Sequence, residues 1–148
     1  MSLLIGINNA TSQTVLADGT IALGQVYRRF IKKNTCGIKT FENDTTSLTL
    51  QQEGIYHITT TLVGSGAEAG DITVQLFEDG VAIPSAFSTQ TITTPDTELR
   101  TFVIDYFILV NEGCILGRRT TIPKTITLLN TGVGATFTSV VVDVVKEV

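Results

Sequence analysis

The side chains able to do chemistry are few. The chain has one histidine, His57, and two cysteines, Cys36 and Cys114. A hydrolytic triad needs a nucleophile on one side of an imidazole and an orienting acid on the other. A zinc site needs three or four nitrogen, sulfur or oxygen ligands at set spacing. Neither pattern surrounds His57, whose alternate neighbours are Thr59 and Thr61. It is expected to be exposed or locally hydrogen-bonded. The cysteines bracket no His or Asn arrangement that suits a thiol nucleophile. They read as buried free thiols, being too few for a disulfide scaffold, with a bridge between them left open. The carboxylates Glu42, Asp44, Glu53, Glu68, Asp71, Asp96 and Glu98 are scattered, and no pair is marked out for glycoside hydrolysis. Glu78 and Asp79 precede Gly80 and read as turn residues. The stretch 64–70 is glycine-rich but lacks the lysine and following helix of a phosphate loop. The expectation is a protein that is not an enzyme and uses no cofactor or metal.

Charge narrows the partners. Charged residues are 16% of the 148, hydrophobic residues 43%, and the net charge is −4. The charged fraction is low against a typical value of about 25%, so the chain has little with which to cover apolar surface. An acidic balance disfavours nucleic acid, which selects a concentrated basic face. Arg28, Arg29, Lys32 and Lys33 cluster, as do Arg118 and Arg119. They read as a solvated strand edge or as a contact for an acidic partner. No apolar run reaches the roughly 18 residues of a membrane helix. Residues 1–6 lack the basic start and long apolar stretch of a secretion leader, and synthesis in a cytoplasm is expected.

The elements that must position these groups are strands. Threonine, valine and isoleucine abound, and β-branched residues favour strands. No window shows a capped helical stripe. The pattern predicts strands at 26–33, 37–41, 47–50, 55–63, 72–77, 81–87, 98–110, 124–129 and 136–145, with Asp79-Gly80 as a tight hairpin. Residues 114–122 read as irregular. Nine or ten short strands with turns between them predict an all-β sandwich of jelly-roll type with little or no helix. Residues 1–24, polar and turn-rich, read as an extended arm ahead of a domain at 25–148. Val15, Leu16, Ile21 and Leu23 are its candidate anchoring residues.

Two strands are apolar on both faces. Side chains alternate along a strand. In 98–110 this puts Leu99, Val103, Phe107 and Leu109 on one side and Phe102, Ile104, Tyr106, Ile108 and Val110 on the other. In 136–145 it puts Phe137, Val141 and Val145 opposite Val140, Val142 and Val144. One core can accept only one set, so the other needs a second chain. The residues do not choose between the faces; Phe102, Tyr106, Val140 and Val142 are taken as candidates for the subunit contact. Asp105 and Asp143 are expected to pair there with Arg, Lys or Thr.

Three segments carry a resemblance. Residues 14–30, with Ile21-Ala-Leu-Gly-Gln-Val-Tyr-Arg28, resemble the entry strand of small phage structural proteins. Gly54-Ile-Tyr-His-Ile58 resembles a strand of the trimeric jelly rolls of the tumour-necrosis-factor and complement-globular-head class. Thr73-Val-Gln-Leu-Phe-Glu-Asp-Gly-Val-Ala-Ile-Pro84 resembles the hairpin of phage and spore-surface members. The resemblance spans most of residues 14–146 and departs from the pattern at the basic stretch 114–123. It implies a homotrimer on a virion surface: a head fibre, capsid decoration or fibre tip, attached through the arm to a capsid, tail or stalk protein, and able to adhere to a host surface glycan. It implies no catalysis. The alternative is a carbohydrate-binding module, which the lack of Trp and the presence of only three Tyr disfavour.

Overall fold

The computed structural model describes residues 3–31 and 40–147. Every element among them is a β-strand, in the order β1 (Leu3–Asn9), β2 (Gln13–Val15), β3 (Gly19–Thr20), β4 (Gln25–Ile31), β5 (Phe41–Asp44), β6 (Ser47–Leu50), β7 (Gly54–Gly66), β8 (Gly70–Glu78), β9 (Val81–Ile92), β10 (Arg100–Val110), β11 (Glu112–Ile115), β12 (Arg118–Thr121), β13 (Lys124–Asn130) and β14 (Ala135–Lys146). One six-stranded antiparallel sheet runs β10-β7-β14-β1-β4, with β2 added to β14. The other runs β5-β6-β13-β8-β9, with β3 added to β13. We term these sheets A and B. The chain crosses repeatedly between them, which makes the fold a jelly-roll sandwich.

The core lies between the sheets. Sheet A contributes Ile5, Ile7, Ile58, Leu62, Phe102, Ile108 and Val144, and sheet B contributes Leu48, Leu50, Ile72, Val74, Leu76, Ile126 and Leu128. Phe102 and Phe137 meet edge to face with ring centroids 5.9 Å apart, a geometry that adds to their area burial. Phe137 was expected on the face of Val141 and Val145. A bulge between Phe137 and Ser139 inserts one residue, and Phe137 joins the core face of Val140, Val142 and Val144.

The arm reading is corrected. Residues 3–24 are built into the sandwich. β1 pairs with both β14 and β4. Val15, Ile21 and Leu23 are buried in the core, while Leu16 is exposed. The backbone of the segment is stitched down by Asp18 N–H to Asn130 O at 2.6 Å, Ile21 N–H to Leu128 O at 2.8 Å and Leu23 N–H to Thr45 O at 2.8 Å. The Gln13 amide clamps Ala22 from both sides, at 2.9 Å to its carbonyl and 2.8 Å from its N–H. The polar residues that suggested a free arm satisfy the backbone of a segment with little regular pairing of its own.

Two turns show how sequence sets register. Asp79 (φ 51°) and Gly80 (φ 81°) both take positive φ, as a two-residue hairpin with the twist of its strands requires. Leu116 (φ 52°) and Gly117 (φ 76°) do the same and join β11 to β12. Residues 114–122 are therefore a hairpin and not irregular. Lys32, Lys33, Cys36 and most of the strand expected at 37–41 lie outside the described residues, as does the Cys114 side chain, so the thiol reading is not addressed.

Two core residues give measurable consequences. Thr60 is fully buried in β7 and its hydroxyl has no hydrogen-bond partner. Thr60→Val removes that unpaired group at nearly constant shape, and a gain of ~1 kcal/mol in urea unfolding is expected. Tyr56, on the same face of the same strand, is buried and donates to Gln52 O at 2.7 Å. Desolvation pushes its phenol from 10.0 up to about 12. The folded state thus holds this proton more tightly than the unfolded state. The associated stability is complete below about pH 10 and is lost as pH rises toward 12, at roughly 1.4 kcal/mol per unit. Tyr56→Phe is expected to lack this alkaline decline when unfolding free energy is followed from pH 9 to 12.

Candidate interaction surface

The structure chooses between the two apolar faces of β10 and β14. Phe102, Val140 and Val142 lie in the chain's own core, and Tyr106 is partly buried against it. Phe102, Val140 and Val142 are not available to a second chain, and their assignment as contact residues is corrected; Tyr106 keeps part of its surface open. The even-numbered positions of β7, β10 and β14 line up across the sheet and face sheet B. The odd-numbered set faces outward.

That outer face is organised in rows by the strand register. One row runs Phe107, His57, Val145, Leu4, Phe30 across five strands. The next runs Asp105, Thr59, Asp143, Gly6, Arg28, and a third runs Val103, Thr61, Val141, Asn8, Gln25. Tyr27 covers the gap at Gly6, where a Cβ would meet its ring at 2.9 Å. Val103, Phe107 and Leu109 are each more than half exposed, at 54%, 56% and 54%. Leu99, Phe30 and Tyr27 are exposed as well. Single exposed apolar residues need no explanation; a contiguous patch marks an interaction site.

Sheet B is more polar outside, although Phe87, opposite Gln75, is half exposed there. Its outer face carries Thr49, Thr125, Thr127, Thr73, Thr89, Gln75 and Asp71, and its threonines bond in cross-strand pairs, Thr49 with Thr125 at 3.1 Å and Thr73 with Thr89 at 2.9 Å. Hydroxyls suit a surface that stays in water.

The polar groups on the sheet A face form two clusters. His57 Nε2 contacts Asp105 Oδ1, and Nδ1 lies 3.8 Å from Glu147 Oε1. The imidazole stacks on Phe107 at 4.7 Å between centroids, 18° from parallel. Nε2 is thus occupied by Asp105, while Nδ1 lies near Glu147 beyond hydrogen-bond distance. Asp143 accepts from Tyr27 O–H at 3.4 Å. Within the chain the two acids are partnered by His57 and Tyr27; the pairing expected for them lies across a subunit contact, which a single chain does not address. Among the described residues no group of three or more His, Cys, Asp or Glu could hold a metal ion. At the foot of the face a cleft of about 450 Å³ is lined by Glu53, Ile55, Leu109, Asn111 and Lys146.

The loops at one end of the sandwich are tied together, Ala67 N–H to Gly134 O at 3.0 Å and Asp96 N–H to Gly66 O at 2.8 Å. Glu98 accepts from the Thr93 hydroxyl and from Thr94 N–H, with Arg100 beside it at 2.7 Å. These bonds, the hydroxyl first, hold its carboxyl below the usual range. Residues 67–69 and 93–99 contain no aromatic side chain, so this end offers no stacking platform for a sugar ring.

The sequence matches no protein-family model and no curated protein. The fold is that of the TNF-like jelly rolls. The chain is similar in structure to Eiger TNF from S. frugiperda, with TM-score 0.66 and 10% identity over 99% of this chain and 92% of that one. It is similar to murine APRIL, with TM-score 0.59 and 8% identity over 93% of this chain and 98% of the other. It is also similar to the PRD1 vertex protein P5, a phage protein, with TM-score 0.55 and 12% identity over 98% and 96%. At such identities the likeness is one of fold.

Proposed function

We propose that the chain is a phage virion structural protein that forms a homotrimeric knob on the particle surface, as a head fibre, capsid decoration or fibre tip, with host adhesion as its further role. The observation that carries this reading is the contrast between the outer faces. The outer face of sheet A exposes Tyr27, Phe30, Val103, Phe107 and Leu109 together, whereas that of sheet B exposes Phe87 among threonines. The occupant of the apolar side is two further copies of the same chain. Fold likeness to TNF-like proteins supports that choice, because the sequence resemblance to that class implies trimers, and likeness to the PRD1 vertex protein supports the virion setting. Subunits that hide about 1,500 Å² each, largely apolar, form obligate assemblies.

In this reading the knob performs no catalysis. Since residues 3–24 are folded into the sandwich, attachment to a capsid, tail or stalk protein falls to another surface. The hairpin β11–β12 is of the right kind, because it pairs with neither sheet and Leu116 at its tip is 98% exposed. A two-stranded hairpin is marginal in water unless something packs on it.

Light scattering on the purified chain is expected to give three times 15.9 kDa. Val103→Asp with Phe107→Asp is expected to give a folded single subunit, its circular dichroism unchanged, because both positions lie outside the core. A wild-type chain that stays monomeric at tens of micromolar rules out the assembly. Particles purified from a lysate of the encoding phage or its host are expected to contain the chain by mass spectrometry; its confinement to the soluble fraction rules out the virion role.

A further inference from the structure

The apolar face contains the chain's one histidine, and that side chain sits among acids. His57 is faced from β10 by Asp105 and the Phe107 ring, and from beyond the end of β14 by Glu147. Asp143 lies one row away, held by Tyr27 of β4. Arg28 lies in the row of Asp143 on the far edge strand, across from Gly6, with its guanidinium 5.9 Å from the Tyr27 ring centre. Lys146 and Glu53 line the cleft at the foot of the face. On β7, β10 and the end of β14, then, the imidazole is the one cationic group that meets Asp105 and Glu147 in the described contacts.

We propose that assembly through this face is proton-linked, with His57 as the switch. The inference rests on the assembly reading above and adds its regulation. When His57 is neutral, Asp105 and Glu147 bring two negative charges to a surface that loses water as copies close on it. Unpaired charge removed from water is strongly unfavourable, and equivalent acids from neighbouring copies repel. When His57 is protonated, one positive charge stands between the two carboxylates and against the face of an aromatic ring, a placement that favours a cation. The assembled state therefore binds this proton more tightly than the separate subunits do. By linkage, association strengthens as pH falls through the interval of about 5 to 8 in which histidine gains its charge. It weakens as pH rises through that interval.

The test measures trimer dissociation on dilution at pH 5.5 and pH 8.0, by sedimentation equilibrium. If the trimer persists at the lowest dilution, the rate of subunit exchange between fluorescently labelled copies replaces it. For the wild-type chain, half-dissociation is expected at a concentration at least ~tenfold lower at pH 5.5 than at pH 8.0; one linked proton per subunit shifts it ~30-fold per pH unit, because for a trimer that concentration follows the square root of the dissociation constant. His57→Gln is expected to bring that ratio close to one. Asp105→Asn is expected to assemble at pH 8.0 about as tightly as the wild type at pH 5.5, because it removes the charge that the imidazolium offsets. A wild-type trimer equally stable at both pH values overturns the switch and leaves the assembly standing. A ratio retained in His57→Gln, with circular dichroism showing a native fold, also overturns it. A chain that is monomeric at both pH values overturns the assembly reading, and the switch with it.

Discussion

The alternation of side chains along β10 and β14 is the constraint on which the rest of this structure depends. Both strands are apolar on each face, and a two-layer sandwich can bury only one face of each. The even-numbered residues win because they share a row system with Tyr56, Ile58 and Leu62 of β7 and close on the aliphatic residues of sheet B. The odd-numbered residues are then left outside by geometry, since moving one of them inward would move its whole strand by a residue and turn the core out. The apolar outer face is therefore not an accident of composition. It follows from the same register that makes the core.

The same register explains why the chemically suggestive groups do no chemistry in this reading. His57 falls on the outer face because its neighbours Tyr56 and Ile58 fall on the inner one. Its partners, Asp105 and Glu147, come from the strand on one side and the segment that follows the strand on the other. The imidazole is thereby fixed between the Asp105 and Glu147 carboxylates and against the Phe107 ring. The threonine pairs of sheet B and the tied loops near Gly66 and Gly134 complete a molecule whose polar groups mainly bind one another.

The strand pattern was legible because β-branched residues alternate cleanly and Asp79-Gly80 is a strong hairpin signal. The two-faced character of 98–110 was also visible, but not which face is buried: periodicity gives parity, and only pairing with neighbouring strands assigns it. Phe137 was misplaced because a bulge leaves no mark in the pattern around it. The hairpin at Leu116-Gly117 was missed because leucine rarely takes positive φ and gives no turn signal. Residues 1–24 read as an arm because their hydrogen bonds run to distant backbone atoms, such as Leu128 O and Asn130 O, that no local rule connects to them. Tyr27 and Phe30 were missed on the candidate surface, since β4 has no alternation to show which side they occupy.

The pairing of β1 with β14 sets the first seven strand residues against the last stretch of the chain, Leu3 opposite Lys146 and Asn9 opposite Val140. The middle of sheet A thus cannot close until β14 has been synthesised. The ribosome releases β1 long before its partner exists, and contacts between such remote segments form slowly. Until then the apolar residues of both strands have no permanent cover, a condition that favours misassembly when chains are crowded. The same pairing sets Leu3 beside Lys146, so the chain enters β1 and leaves β14 at one pole of the sheet.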